Sequence, residues 1–251
     1  LNPVYTVGWQ VAEAIRSHRQ VTKREALAQA VELLRAVGIP NAETRAGDYP
    51  HEFSGGMRQR VVIAIAMAND PAVILADEPT TALDVTVQAQ VLRSLRTALE
   101  QTGAALLLIT HDLGVIAGLA DRVLVMYAGR AVEVGTAEDV FYRPAMPYTH
   151  GLLGSLPRLD LDERGPLRPI PGSPPSSVRL STGCPFAPRC PLRADVCETE
   201  EPPLRPVAPT GNGAGARAGH LAACHFAEQV VSMPVGSMFP ATSLDQEGVA
   251  P

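Results

Sequence analysis

Aromatic side chains are scarce in this sequence of 251 residues, at 4% of the total, so its core must be built from Ala, Val, Leu and Ile. No apolar run approaches the roughly 20 residues that a membrane-spanning helix needs. The first ten residues also lack the basic flank and apolar core of a secretion signal. The net charge of -5 offers no general attraction to nucleic acid or anionic lipid. These absences predict a soluble chain that other subunits must hold in place if it works at a membrane.

Cysteine is missing from most of the chain, because all four cysteines fall in its last third. That distribution suits a reducing compartment. The sequence begins with Leu1 and not with Met, so we expect an incomplete domain or a processed piece. The composition changes twice along the chain. We therefore predict an α/β region over residues 1–144, a region rich in Pro, Arg and Cys over 145–226, and a disordered tail over 227–251.

Strands and helices are predicted to alternate through the first region. Three short apolar runs are typical of buried strands in a parallel sheet, at residues 72–76, 104–109 and 123–127. Four helices are expected around them. One begins at the Thr22–Glu25 capping box, and the other three span about residues 54–68, 86–101 and 136–141. Gly129-Arg130 is expected to turn a hairpin into residues 131–134. The alternation predicts an α/β fold with a mostly parallel sheet.

A Ser-Gly-Gly segment, Ser54 to Gly56, precedes the second helix. Glycines let the backbone approach a ligand closely, and a helix N-terminus offers free N–H groups and a partial positive charge. The segment therefore predicts an anion site, with the serine hydroxyl as a further donor. The alternative is an ordinary Ser-capped helix, which Ser-Gly-Gly alone would favour.

Two adjacent carboxylates, Asp77 and Glu78, follow the first apolar run. In open α/β sheets ligands bind at the carboxyl ends of the strands. Asp77 is a candidate Mg²⁺ ligand, directly or through water, and Glu78 is a candidate to polarise an attacking water. A solvated acidic turn is the alternative, but the repulsion between the carboxylates favours a metal or a donor nearby.

Two more segments complete the pattern. Thr80 to Asp84 is a tight stretch directly after the acidic pair, and His111 follows the second apolar run within Ile109-Thr110-His111-Asp112. A lone histidine at a strand end is more often structural than catalytic. Its position after the neighbouring strand allows it to face the same site as Glu78.

The order of these four motifs resembles the ATP-binding cassette ATPases, over about residues 1–135. The resemblance implies the C-terminal part of such an ATPase domain, with a partial helical subdomain and a mostly parallel sheet. It implies that Ser54, Gly55 and Gly56 are the signature motif, which binds the γ-phosphate of an ATP held by the partner subunit. It also implies ATP and Mg²⁺ as ligands.

The same resemblance assigns the remaining residues. Asp77 matches the Walker B aspartate and Glu78 the catalytic glutamate. Asp84 matches the D-loop, and His111 matches the switch histidine that contacts the γ-phosphate. The family works as a head-to-tail dimer that holds two ATP molecules at its interface.

One part of the family's pattern is absent. No G-x-x-x-x-G-K-[ST] segment occurs in the sequence, and the glutamine of the Q-loop is missing too. Leu1 to Thr6 resembles the segment that normally follows that glutamine. Without the loop's N–H groups and lysine nothing holds the β- and γ-phosphates in cis. We therefore expect the 251-residue chain by itself to be inactive, and the whole subunit to be an ATPase.

The four cysteines are Cys184, Cys190, Cys197 and Cys224. Four thiolates can bind Zn²⁺ or an iron–sulfur cluster, although the gaps are wider than in common zinc modules. Disulfides and free thiols are the alternatives, and His225 is a possible substitute ligand. The region is expected to form a small Cys- and Pro-rich lobe with one metal centre.

This region also resembles the C-terminal extension of dipeptide/oligopeptide and nickel importer ATPases. The likeness is carried by residues 143–149, Pro169-Ile170-Pro171-Gly172 and the segment from Cys184 to Pro191. Members with this quartet resemble [4Fe–4S] binders, so the cluster is favoured over zinc.

The function that the resemblance implies is ATP hydrolysis that drives peptide uptake through a separate pore. The implied partners are a second ATPase subunit or fused cassette, two membrane permeases and, indirectly, an extracytoplasmic solute-binding protein, with no nucleic acid. The implied location is peripheral, on the cytoplasmic face of the membrane. The alternatives are a truncated remnant that only binds partners and a non-transport cassette ATPase. The latter would carry a coiled coil or a basic surface, and neither is visible here.

Overall fold

The fold divides into an N-terminal unit, Leu1–Asp112, and a C-terminal unit, Leu113–Pro251. A computed structural model describes residues 1–155, 169–174, 182–208 and 219–239. The α/β class is confirmed. The predicted region boundary at residue 144 lies inside the C-terminal unit. Among the described residues, no helix is both long and apolar enough to cross a membrane.

Three helices open the N-terminal unit: α1 (Val7–Arg16), α2 (Lys23–Ala36) and α3 (Ala42–Arg45). The capping box predicted at the start of α2 is confirmed. The hydroxyl of Thr22 accepts from the Glu25 N–H at 3.3 Å, and the Glu25 carboxylate accepts from the Thr22 N–H at 2.9 Å. At the other end Gly38 has a positive φ of 78°, which lets the Gly38 and Ile39 N–H groups bond back into the last turn.

Helix α1 was not predicted, although its sequence contains a helical pattern of apolar residues. Val7, Val11 and Ile15 recur every fourth residue and are fully buried. That spacing places them on one face of the helix, as an amphipathic helix requires.

Helix α4 (Gly55–Met67), strand β1 (Val73–Asp77), helix α5 (Val85–Thr102) and strand β2 (Ala105–Ile109) complete the unit. All four match predicted elements to within two residues. Strands β1 and β2 pair in parallel, with Val73 opposite Ala105 and Asp77 opposite Ile109.

Strand β1 is buried on one face only, and β2 is half-buried on that face, so the prediction of fully buried strands is wrong. Ile74 and Ala76 point into the core, whereas Leu75 is 72% exposed. Val73, Leu107 and Ile109 are also exposed. Among the residues that the structure describes, nothing covers this apolar face.

The C-terminal unit begins with α6 (Leu113–Leu119), β3 (Arg122–Tyr127), β4 (Arg130–Thr136), α7 (Ala137–Tyr142) and α8 (Pro147–Gly154). The predicted β3–β4 hairpin is confirmed, but its turn is Ala128-Gly129, one residue earlier than expected. Both turn residues have positive φ, at 50° and 76°, as a two-residue turn that matches the strand twist requires. The predicted cap at Thr136 is confirmed as a capping box with Asp139.

The C-terminal unit continues with α9 (Asp195–Thr199), β5 (Arg205–Pro206), β6 (Leu221–Ala222) and α10 (Ala227–Val230). These strands join the hairpin in an antiparallel sheet of order β3-β4-β6-β5. The described residues therefore hold both a parallel and an antiparallel sheet, and the expectation of a mostly parallel sheet is corrected to a mixed one.

The core of this unit gathers the scarce aromatic side chains. Tyr127, Tyr148 and Phe186 pack together with ring centroids 4.6–5.6 Å apart. Val230 and Phe239 are buried in the same core. The expectation of a disordered tail from residue 227 is thus wrong for residues 227–239, while 240–251 lie outside the described part.

A buried carboxylate ties distant segments of this unit together. Glu133 on β4 is fully buried, and its Oε1 accepts from the backbone N–H of Ala145 at 2.6 Å. The same oxygen lies 2.9 Å from Nε2 of His220, which is 87 positions away in the sequence. One side chain therefore holds β4, the turn before α8 and the segment that leads into β6.

Replacing Gly56 by Ala should destabilise the N-terminal unit. An added Cβ would lie 2.1 Å from Cγ1 of Val87, a β-branched side chain with little rotamer freedom in a helix. We expect a loss of about 1–3 kcal/mol in the free energy of unfolding, measured by denaturant titration. Gly55→Ala is the matched control, because its Cβ would meet Leu83 at an ordinary 3.6 Å. Equal stability of the two variants would contradict the close packing of Gly56 against Val87.

Replacing Glu133 by Ala should destabilise the C-terminal unit. The Ala145 N–H and His220 would lose their buried acceptor, at a cost of about 2–4 kcal/mol in unfolding free energy. Glu201→Ala serves as the control, since it removes only a partly exposed ion pair with Arg130 and should cost at most about 1 kcal/mol. Comparable thermal stability of both variants would show that the buried contact contributes little.

Candidate functional site

The register of β1 and β2 places the candidate catalytic residues at one edge of the sheet. Asp77 and Ile109 are the last residues of their strands and lie opposite each other. The N–H of Glu78 donates to the carbonyl of Ile109 at 2.8 Å, which extends the pairing by one residue. Glu78 and His111 therefore leave the sheet at the same edge, as expected from the sequence for the ends of neighbouring strands.

The Glu78 carboxylate has two side-chain partners, one on each oxygen. Its Oε1 lies 3.2 Å from Nδ1 of His111, and its Oε2 accepts from the hydroxyl of Thr81 at 2.7 Å. The predicted closeness of Glu78 and His111 is thus present. The hydrogen bond from Thr81, followed by that from His111, lowers the pKa of Glu78, so the carboxylate is ionised at neutral pH. Its side chain is 44% exposed and that of His111 76%, so solvent reaches both.

The segment between Glu78 and α5 is a tight sequence of turns. The Thr81 N–H donates to the Glu78 carbonyl at 3.2 Å, and the Leu83 N–H donates to the Thr80 carbonyl at the same distance. Glu78 and Ala82 adopt positive φ values of 44° and 61°. These turns return the chain over the strand end, which explains how Thr81 reaches the carboxylate three residues before it.

Asp77 and Asp84 occupy different surroundings. Asp77 ends β1 with its side chain exposed beside Glu78 in the chain, where a carboxylate oxygen is accessible to a hard cation. Asp84 is the N-cap of α5, and its Oδ1 accepts from the Val87 N–H at 2.9 Å. The Asp84 side chain is therefore engaged within its own helix.

The Ser-Gly-Gly segment begins α4 as predicted. The Ser54 hydroxyl accepts from the Met57 N–H at 3.3 Å, which is the helix-cap role. Gly55 faces Leu83, with 3.6 Å between Leu83 Cδ2 and the position of an added Cβ. The start of α4 therefore lies beside the segment that connects Glu78 to α5.

Two contacts near this edge were not predicted. Thr81 was named only as part of a segment and was given no role. The available signal was a hydroxyl three residues after a carboxylate, within hydrogen-bonding reach across a turn. The Gln88 amide also donates to Asp112 at 2.8 Å, which links α5 to the segment after β2.

The four cysteines lie in one lobe. Cys184, Cys197 and Cys224 are buried in the core of the C-terminal unit, and Cys190 packs against it. The Cys184 N–H donates to the Cys197 carbonyl at 2.8 Å. All four are free thiols, so the disulfide alternative is wrong.

Burial raises the pKa of three of the thiols, those of Cys184, Cys190 and Cys224. It raises the pKa of Cys190 to about 11 and that of Cys224 to about 12, and the neighbouring cysteines add smaller contributions in the same direction. Within the described residues, no group of three or more His, Cys, Asp or Glu side chains is placed to hold a metal ion. His225, the possible substitute ligand, has its Nε2 3.1 Å from the carbonyl of Glu200.

Two protein-family models match the chain. The model described as ABC transporter matches residues 4–81, a span that includes Ser54, Asp77 and Glu78. The model described as oligopeptide/dipeptide transporter, C-terminal region, matches residues 132–197.

Curated relatives match over most of the chain. The oligopeptide transport ATP-binding protein OppD of Mycobacterium tuberculosis is 55% identical over 240 residues, which is 95% of this chain and 38% of that protein. The dipeptide transport ATP-binding protein DppD of Bacillus subtilis is 52% identical over 202 residues, covering 80% of this chain and 60% of that protein. The oligopeptide transport ATP-binding protein OppD of Salmonella typhimurium is 52% identical over 209 residues, covering 83% of this chain and 62% of that protein.

The chain thus spans between about two fifths and three fifths of the length of these relatives. A solved structure of a dimeric ATP-binding cassette with ADP and phosphate is 29% identical, with a TM-score of 0.48 over 55% of this chain and 59% of that one.

Proposed function

We propose a function from the premise that this chain belongs to the ABC transporter ATP-binding proteins and carries the C-terminal region of the oligopeptide/dipeptide transporters. The proposed function of the whole subunit is ATP hydrolysis that drives the import of peptides. The observation that carries it is the ionised Glu78 carboxylate at the strand edge, within a chain 55% identical to an oligopeptide transport ATP-binding protein.

In this proposal Glu78 orients the attacking water. The carboxylate is ionised, so it can position the water and accept its proton as the bond to phosphorus forms. His111 is proposed to contact the γ-phosphate from the end of β2, and its Nδ1 lies 3.2 Å from Oε1 of Glu78.

Asp77 fits the role of a Mg²⁺ ligand. Its carboxylate is exposed at the end of β1, and carboxylate oxygens are the ligands that this hard cation prefers. When bound with ATP, the ion neutralises charge on the phosphate oxygens.

Ser54, Gly55 and Gly56 are proposed to bind the γ-phosphate of a nucleotide held by the partner. The support is their place at the first turn of α4, where N–H groups without helical partners favour an anion. Asp84, at the first turn of α5, is proposed to contact the partner along the same interface.

The proposed partners are a second ATPase subunit or fused cassette, two membrane permeases and, through them, an extracytoplasmic solute-binding protein. The subunit would then sit peripherally on the cytoplasmic face of the membrane. The support is that the relatives carry names of peptide and oligopeptide transport or import proteins.

Glu78→Gln in the whole subunit tests the assignment. The amide keeps the shape but cannot accept the water's proton, so we expect the ATPase kcat to fall about 10²–10⁴-fold while ATP binding persists. The control is Glu100→Gln, an exposed glutamate at the end of α5, which should leave kcat unchanged. Parental turnover in the Glu78→Gln variant would remove Glu78 from the chemistry. A whole parental subunit that binds partners without hydrolysing ATP would favour the remnant alternative.

We also propose that the cysteine quartet binds a [4Fe–4S] cluster with a structural role. Support comes from four free thiols gathered in one core. A single zinc ion holds tetrahedral sulfurs about 3.8 Å apart, and the described residues offer no such convergent set. A cubane is larger and accepts thiolates at wider spacing. The raised thiol pKa values mean that metal binding must release protons.

Anaerobic purification of the whole subunit tests the cluster. We expect about four irons per chain and broad visible absorption, as a Cys₄ cubane gives. In Cys190→Ser we expect loss of the iron and a lower melting temperature. The Glu78→Gln variant is the control and should keep its iron. One zinc per chain would favour the structural-zinc alternative, and the absence of both metals would leave four free thiols as the correct interpretation.

A further inference from the structure

We infer that Thr81 is a positioning residue for Glu78, whose hydroxyl fixes one carboxylate oxygen so that the group is held in a single orientation toward water. This inference rests on the proposed role of Glu78 in hydrolysis. The sequence motifs suggested no role for the Thr81 side chain.

The backbone brings Thr81 to the carboxylate. The N–H of Glu78 is bound to Ile109 and the N–H of Thr81 to the Glu78 carbonyl, so both ends of this short turn are anchored. Pro79 and Thr80 between them are buried, which restricts the turn further. The hydroxyl at position 81 therefore reaches Oε2 from a constrained backbone.

The carboxylate needs such a restraint because it is partly exposed. A glutamate side chain in solvent has several accessible rotamers, and ordering it costs free energy. His111 restrains only Oε1, at 3.2 Å, and is itself largely exposed. The 2.7 Å bond from Thr81 to Oε2 adds a second contact, which restricts rotation about the last side-chain bond.

The bond leaves the carboxylate able to react. Each carboxylate oxygen offers two acceptor positions, so one hydroxyl does not saturate Oε2. Thr81 therefore orients the group without occupying it.

Thr81→Val and Thr81→Ser in the whole subunit test the inference. Valine keeps the shape without the donor, so we expect kcat to fall about 3- to 10-fold with the KM for ATP unchanged. Serine keeps the hydroxyl and should restore kcat. Thr86→Val, an exposed threonine on the first turn of α5, is the matched control and should behave as the parent.

The Glu78→Gln variant separates failure of this inference from failure of the proposed function. If Glu78→Gln is inactive and Thr81→Val keeps the parental kcat, the inference is wrong and the proposed function stands. If Glu78→Gln itself turns over normally, the proposed function is wrong. Adding Thr81→Val to Glu78→Gln should cause no further loss, since the two act as one unit. Should Thr81→Val fold poorly by circular dichroism, Thr81→Ala takes its place with the same expected loss of kcat, and a parental kcat there would overturn the inference.

Discussion

The parallel pairing of β1 with β2 sets the position of the candidate catalytic side chains in the N-terminal unit. Because Asp77 and Ile109 end their strands opposite each other, the residues that follow must emerge at the same edge. A slip of one residue in this register would move His111 by one strand position and turn its neighbours to the other face of the sheet. The contact of Glu78 with His111 depends on that alignment, whereas the contact with Thr81 is made within one turn.

The N-termini of α4 and α5 lie near this edge, which explains why short polar side chains recur there. Ser54 and Asp84 each accept a backbone N–H in the first turn of a helix, so both are needed for local structure whether or not a nucleotide binds. The remaining N–H groups of each first turn stay available to an anion. One segment can therefore serve as a cap and as part of a ligand site.

Much of this local structure is predictable because it depends on neighbours in the sequence. The capping boxes at Thr22 and Thr136, the strand that ends at Asp77 and the β3–β4 hairpin follow from residues within a few positions of each other. The contact of Glu133 with His220 spans 87 positions, and nothing in the pattern around either residue points to the other. The exposed face of β1 and β2 was missed for a related reason. An apolar run shows that a strand tends to be buried, but it does not show what covers each face.

The positive φ of Glu78 has a consequence for how this site tolerates change. The left-handed region disfavours side chains with a Cβ, and glycine is the residue that adopts it without penalty. A fold selected for stability alone would therefore favour glycine at position 78, where it would relieve backbone strain of about 1 kcal/mol. Glycine offers no carboxylate. The strand edge thus keeps a conformationally unfavourable glutamate, so that stability and the role proposed for its carboxylate make opposite demands on one residue.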